Sequence, residues 1–65
     1  MEINLNGKKI QSNSSTIMEL VLDQGFNPKS LIAELNFKII KQENWDNTAL
    51  EQGDNVELLS FVQGG

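Results

Sequence analysis

At 65 residues, with no cysteine and no histidine, the chain has room for one domain and lacks a disulfide, a thiol nucleophile, an imidazole base and the usual ligands of zinc, copper and iron–sulfur clusters. Its net charge of −4, with lysines as the only cations, opposes nucleic-acid binding, which needs clustered Lys and Arg against phosphate, and suits a basic partner surface instead. No apolar run nears the roughly 20 residues of a membrane span and no basic-then-apolar leader opens the chain, so the expectation is a cytoplasmic protein with no membrane partner.

A domain this short buries only about 60% of the surface its unfolded chain exposes, so hydrophobic patterning has to specify the fold. Met1, Ile3 and Leu5 alternate with Glu2 and Asn4, the period of a strand with one buried face. Asn6-Gly7 suits a two-residue type I′ turn, so residues 8–11 are expected to return antiparallel with Ile10 inward. Thr16-x-x-Glu19 is a capping box that opens a helix. Ile17, Leu20, Val21 and Gln24 follow the helical face pattern, Met18 and Leu22 flank it, and Gly25 ends it. Pro28 lacks an amide donor and biases Asn27 away from helix, which makes residues 26–30 a loop.

Leu31, Ala33 and Leu35 alternate with Ile32 and Glu34, Asn36-Phe37 turns the chain, and the β-branched pair Ile39-Ile40 lies in a returning strand at 38–41. Residues 42–52 are too polar for a buried strand; Trp45, Ala49 and Leu50 are expected to hold an irregular or single-turn helical segment on the core, with Trp45 as core cover rather than a partner contact. Gly53-Asp54 turns again, and residues 55–62 form the most apolar strand, expected at the centre of the sheet.

If Val56 and Leu58 face inward, alternation turns Glu57, Leu59 and Phe61 outward beside the C-terminal stretch. Phe61 then has two readings, an apolar docking residue together with Leu59 or a core residue folded over the sheet edge. Glu43, Asp46, Glu51, Asp54 and Glu57 concentrate negative charge in the second half, suited to steering toward a basic partner groove or simply to solvation. Glu51 and Asp54 flank a turn without companion pocket residues, which argues against acid–base catalysis or a cation site there.

The chain closes on Val62-Gln63-Gly64-Gly65. Two residues without Cβ can thread a narrow channel and let backbone approach a nucleotide closely, whereas the plainer reading is a frayed end. The opening strand with its Asn6-Gly7 turn, Thr16-x-x-Glu19-Leu20, Leu35-Asn36-x-x-Ile39-Ile40, Trp45, Gly53-Asp54-x-Val56-Glu57 and the terminal glycine pair occur in an order that resembles the thiamin-biosynthesis sulfur carrier family, ThiS. That resemblance spans the whole chain. It implies an α+β, ubiquitin-like β-grasp fold, a mixed sheet with one main amphipathic helix packed on one face, in a domain at 1–62 followed by a flexible tail at 63–65.

It also implies a protein cosubstrate rather than an enzyme. A partner adenylating enzyme, related to ubiquitin activators, would use ATP to convert the Gly65 carboxylate to an acyl-adenylate. Sulfur from a cysteine desulfurase persulfide would displace AMP to leave a thiocarboxylate on Gly65, and thiazole synthase would receive that sulfur for the thiazole ring of thiamin. No cofactor is bound by the carrier itself; Gly65 is the reactive site, and Gly64, Gln63, Val62, Phe61 and Leu59 are the partner-binding residues. Three alternatives share the fold: the small subunit of molybdopterin synthase, a ubiquitin-like protein modifier joined through Gly65 to a lysine, and a non-covalent interaction module. The missing cysteines exclude the ferredoxin version.

Overall fold

The computed structural model describes residues 1–61. Val62, Gln63, Gly64 and Gly65, and with them the expected tail, lie outside the described residues. Strands β1 (Glu2–Leu5) and β2 (Lys8–Gln11) form the predicted antiparallel hairpin, with Ile3 opposite Ile10. Asn6 at φ 49° and Gly7 at φ 84° supply the two consecutive positive-φ residues that a type I′ turn needs. Ile3 and Leu5 enter the core, and Ile10 packs against it half-buried.

Helix α1 (Ile17–Asp23) starts at the predicted cap: the Thr16 hydroxyl accepts from the Glu19 amide at 3.2 Å. The Glu19 carboxylate reaches back to the Ser15 amide at 2.8 Å, one residue beyond its usual partner in such a box. The Thr48 carbonyl accepts the otherwise orphaned Ile17 amide at 3.1 Å. At the other end Gly25, at φ 79°, donates to the Leu22 carbonyl and Phe26 to that of Val21, each at 3.1 Å, which is the Schellman closure. Ile17, Leu20 and Val21 are buried. Gln24, expected to extend this face, is instead the exposed C-cap, because the closure ends the helix before the face reaches it. Asp23 sits at the helix end where the macrodipole disfavours an anion. Buried Ser14 compensates by donating its hydroxyl to that carboxylate at 2.5 Å.

The expected loop at 26–30 contains a short 3₁₀ turn, Pro28–Ser30, which the Asn27 side chain caps by accepting from the Lys29 amide at 3.0 Å. Strands β3 (Leu31–Leu35) and β4 (Lys38–Ile40) make a second hairpin. Its turn repeats the first, with Asn36 at φ 50° and Phe37 at φ 71°. Phe37 thus stands where Gly7 stands in the first turn, in a conformation that costs a side-chain-bearing residue roughly 1–2 kcal/mol. It is 78% exposed, so little packing offsets that cost. Phe37→Gly is therefore expected to stabilise the domain by about 0.5–1 kcal/mol after the added chain entropy of glycine is subtracted, read as a Tm rise of a few degrees.

Residues Gln42–Asn47 form a single 3₁₀ helix that seats Trp45 on the core. Trp45 is 1% exposed and its indole Nε1–H donates to the Ile40 carbonyl at 2.8 Å. Leu50 is buried beside it, whereas Ala49, expected to join them, is exposed. Ala49 acts through backbone instead, in a bridge with Thr16 that seats the segment against the helix entry.

Strand β5 (Asn55–Ser60) runs through the middle of a five-stranded sheet ordered β2-β1-β5-β3-β4, parallel to β1 and antiparallel to β3. The strand expected over 55–62 thus ends at Ser60 among the described residues, although the Phe61 amide still donates to the Ser30 carbonyl at 3.0 Å. Val56 and Leu58 meet Ile3, Leu20, Val21 and Trp45 on one face of the sheet. The architecture is the ubiquitin-like β-grasp: a mixed sheet with one main helix on one face.

Candidate functional site

Strand β5 is the last element before the C-terminal stretch and is supported on both sides. On the β1 side, β1 runs out at Leu5, and the Asn6 side chain takes over. Its Oδ1 accepts from the Leu58 amide at 2.8 Å and its Nδ2 donates to the Leu58 carbonyl at 3.2 Å, continuing the ladder beyond the last strand residue. On the β3 side, Asn36 does the corresponding work at the other end of β5: its amide donates to the Asn55 carbonyl at 2.7 Å and its Oδ1 accepts from the Asn55 amide at 2.9 Å. Both asparagines therefore shape a turn and satisfy the central strand at once. The sequence reading saw only the turns, because nothing local in Asn-Gly or Asn-Phe reports a partner about 20 or 50 residues away.

Alternation along β5 runs as expected. Val56 and Leu58 are buried, Glu57 is half-buried and Leu59 (47%) is exposed on the face turned away from the helix; the alternation ends at exposed Ser60, and Phe61 (41%), just past the strand, is exposed as well. Ile32 of β3, paired directly with Leu59 and 40% exposed, joins them. Sequence reasoning placed Ile32 among the outward residues of its strand but missed it as a member of the site. The β3–β5 register that brings it there is a long-range fact. Phe61 belongs outside the core cluster, which removes the reading in which it folds over the sheet edge as core. Val62, Gln63, Gly64 and Gly65, the other expected site residues, lie outside the described residues.

The acidic residues disperse. Glu43, Asp46 and Glu51 are exposed, while the Asp54 carboxylate is occupied within the fold. Its Oδ2 accepts from the Glu51 amide at 2.7 Å and its Oδ1 from the Asn36 side chain at 3.1 Å, which makes it a turn-forming group. No group of three or more His, Cys, Asp or Glu side chains that could hold a metal ion occurs among the described residues. No helix among them is long and apolar enough to cross a membrane.

A family model described as the ThiS family matches residues 2–65. The sulfur carrier protein ThiS of Bacillus subtilis is 32% identical over 65 residues, covering 97% of this chain and 98% of that protein. The chain belongs to the ThiS family. The crystal structure of the thiamine biosynthesis protein ThiS from Geobacter metallireducens superposes with a TM-score of 0.85 at 29% identity, over 100% of both chains. The thiazole synthase of Magnetococcus marinus is 29% identical over 66 residues, and the match covers 100% of this chain but 20% of that protein. The same 20% coverage holds for the thiazole synthase of Paramagnetospirillum magneticum. This ThiS-family chain thus spans about a fifth of the length of those relatives. The exposed apolar residues of the site are Leu59 of β5, Ile32 beside it on β3, and Phe61 just past the end of β5.

Proposed function

We propose that this ThiS-family chain is a sulfur carrier for thiamin synthesis, with the Gly65 carboxylate as its reactive group. The observation that carries the reading is the central strand β5, held on both sides, with Leu59 and Phe61 exposed at its C-terminal end, a few residues before Gly64-Gly65 in the sequence. In a chain without cysteine or histidine, a terminal carboxylate needs outside activation, because a bare carboxylate is a poor electrophile. An adenylating enzyme converts it with ATP to an acyl-adenylate. A desulfurase-derived persulfide then displaces AMP, and cleavage of the S–S bond by a thiol leaves the thiocarboxylate. Thiazole synthase takes that sulfur into the thiazole ring, and the carboxylate is regenerated. The carrier binds no cofactor of its own in this scheme and acts in the cytoplasm.

Two relatives in which a segment like this chain occupies a fifth of a thiazole synthase support that acceptor over a molybdopterin synthase. Intact-mass analysis tests the proposal: incubation with ATP, the adenylating enzyme and a sulfur source is expected to produce one oxygen-for-sulfur exchange confined to the C-terminal peptide. Unchanged mass with an adenylating enzyme verified on another carrier overturns it. Laddered conjugates on target lysines would point to the modifier alternative.

A further inference from the structure

The Asn6 side-chain amide holds Leu58 through both of its polar atoms, Oδ1 accepting from the Leu58 amide at 2.8 Å and Nδ2 donating to the Leu58 carbonyl at 3.2 Å. The residue that follows is Gly7, exposed, at φ 84°, with open space where a Cβ would stand. Of the asparagines in the chain, Asn6 alone precedes a glycine. That pairing is chemically labile, because a backbone nitrogen with no side chain beside it can approach and attack the amide carbon of the preceding asparagine. Asn36 is a matched comparison. It holds the same position in the second positive-φ turn, and its Oδ1 accepts from the Asn55 amide of β5 at 2.9 Å, yet the residue after it is Phe37, whose side chain obstructs the same attack.

We propose that Asn6 is a site of spontaneous deamidation, gated by its own hydrogen bonds to Leu58. The Gly7 nitrogen gives its proton to solvent and bonds to Asn6 Cγ, the Cγ–Nδ2 bond breaks, and ammonia leaves behind a cyclic succinimide. Water then opens the ring at either carbonyl, giving aspartate or isoaspartate with no change in oxidation state. In the fold, two constraints oppose ring closure. The side chain is aimed at Leu58 instead of at the amide that follows it. The Asn6 backbone, at φ 49°, is fixed in the type I′ turn by the flanking Leu5–Lys8 pair, and the planar ring requires its ψ to leave that well. The reaction therefore proceeds from chains in which this clamp has opened, and it does not reverse. Aspartate has no donor for the Leu58 carbonyl and sets an anion against it. Isoaspartate also lengthens the main chain by a methylene, within the two-residue turn that sets the β1–β2 register. Each conversion thus removes support from β5 at Leu58, beside the exposed Leu59. The proposal is independent of the sulfur-carrier reading.

The test is incubation of the full chain at a fixed, mildly alkaline pH, folded and in guanidinium chloride, with its proteolytic peptides weighed at intervals. A gain of one mass unit is expected in the peptide bearing Asn6-Gly7, at least roughly tenfold slower in the folded chain than in the unfolded one. The converted fraction carries one more negative charge and is separable by anion exchange; its Tm is expected to be lower by about 4–8 °C. In the Phe37→Gly variant, the unfolded chain is expected to convert at Asn36 as well as at Asn6. Equal rates in the folded and unfolded chains overturn the gating by Leu58. The assignment of the site is overturned by an unfolded chain that does not convert at Asn6, by equal conversion at Asn36 with Phe37 in place, or by an Asn36 that stays inert in unfolded Phe37→Gly. A converted fraction with unchanged Tm overturns the loss of support to β5.

Discussion

Trp45→Ala is expected to leave the chain largely unfolded at 37 °C. Truncating a fully buried aromatic side chain costs about 3–5 kcal/mol, and a domain of this size holds in total only roughly 3–10 kcal/mol at 0.05–0.15 kcal/mol per residue. Trp45 is among the largest of the fully buried side chains, and its single 3₁₀ helix has few means of staying in place without it. The substitution also strands the Ile40 carbonyl, which accepts from the indole Nε1–H at 2.8 Å, at the end of an edge strand only three residues long. Trp45→Phe separates the two contributions. It keeps most of the packing and loses the hydrogen bond, so it is expected to cost about 1–2 kcal/mol. Circular dichroism with urea titration reads both variants, since the substitution removes the chain's one tryptophan and with it the fluorescence signal. A Trp45→Ala midpoint close to that of the unsubstituted chain would show that the 3₁₀ segment is a removable cover rather than part of the cooperative core.

The parts of this fold that were legible in the sequence are those whose cause is local. Asn6-Gly7, Thr16-x-x-Glu19 and Gly25 each state a backbone conformation within four residues, and each forms where expected. The alternation of Val56, Glu57, Leu58 and Leu59 likewise fixes which side chains face the core. What was not legible depends on register across the sheet. Asn6 reaches Leu58 and Asn36 reaches Asn55 because β5 inserts between β1 and β3, a fact no window along the chain contains. The opposition of Glu34 to Glu57 and of Ile32 to Leu59 has the same origin. Gln24 and Ala49 were misjudged for a different reason. Gln24 continues the helical face one residue past Asp23, where the closure at Gly25 and Phe26 ends the helix, and Ala49 is held by its backbone bridge to Thr16, so that its side chain stays exposed; periodicity registers neither.

The same outer face supplies the second large effect. Phe61→Ala combined with Leu59→Ala is expected to weaken binding to the adenylating enzyme by roughly 30- to 100-fold, the loss typical of removing a central aromatic residue and its apolar neighbour from an interface. Both side chains are more than two-fifths exposed and neither belongs to the core cluster, so the free domain has little packing to lose. The Phe61 contribution to the fold runs through its amide, which donates to the Ser30 carbonyl and survives any side-chain change other than proline. Tm is therefore expected to stay within a few degrees of the unsubstituted value. A saturating concentration of the adenylating enzyme should restore thiocarboxylate formation, because docking and not chemistry has been impaired. The opposite pattern, a large fall in Tm with thiocarboxylate formed at the normal rate, would mean that Leu59 and Phe61 close the sheet edge and that the partner grips the carrier elsewhere. Because Ile32 lies beside Leu59, Ile32→Ala should give a smaller loss of the same kind, and its combination with Leu59→Ala should fall short of additive if one partner side chain covers both.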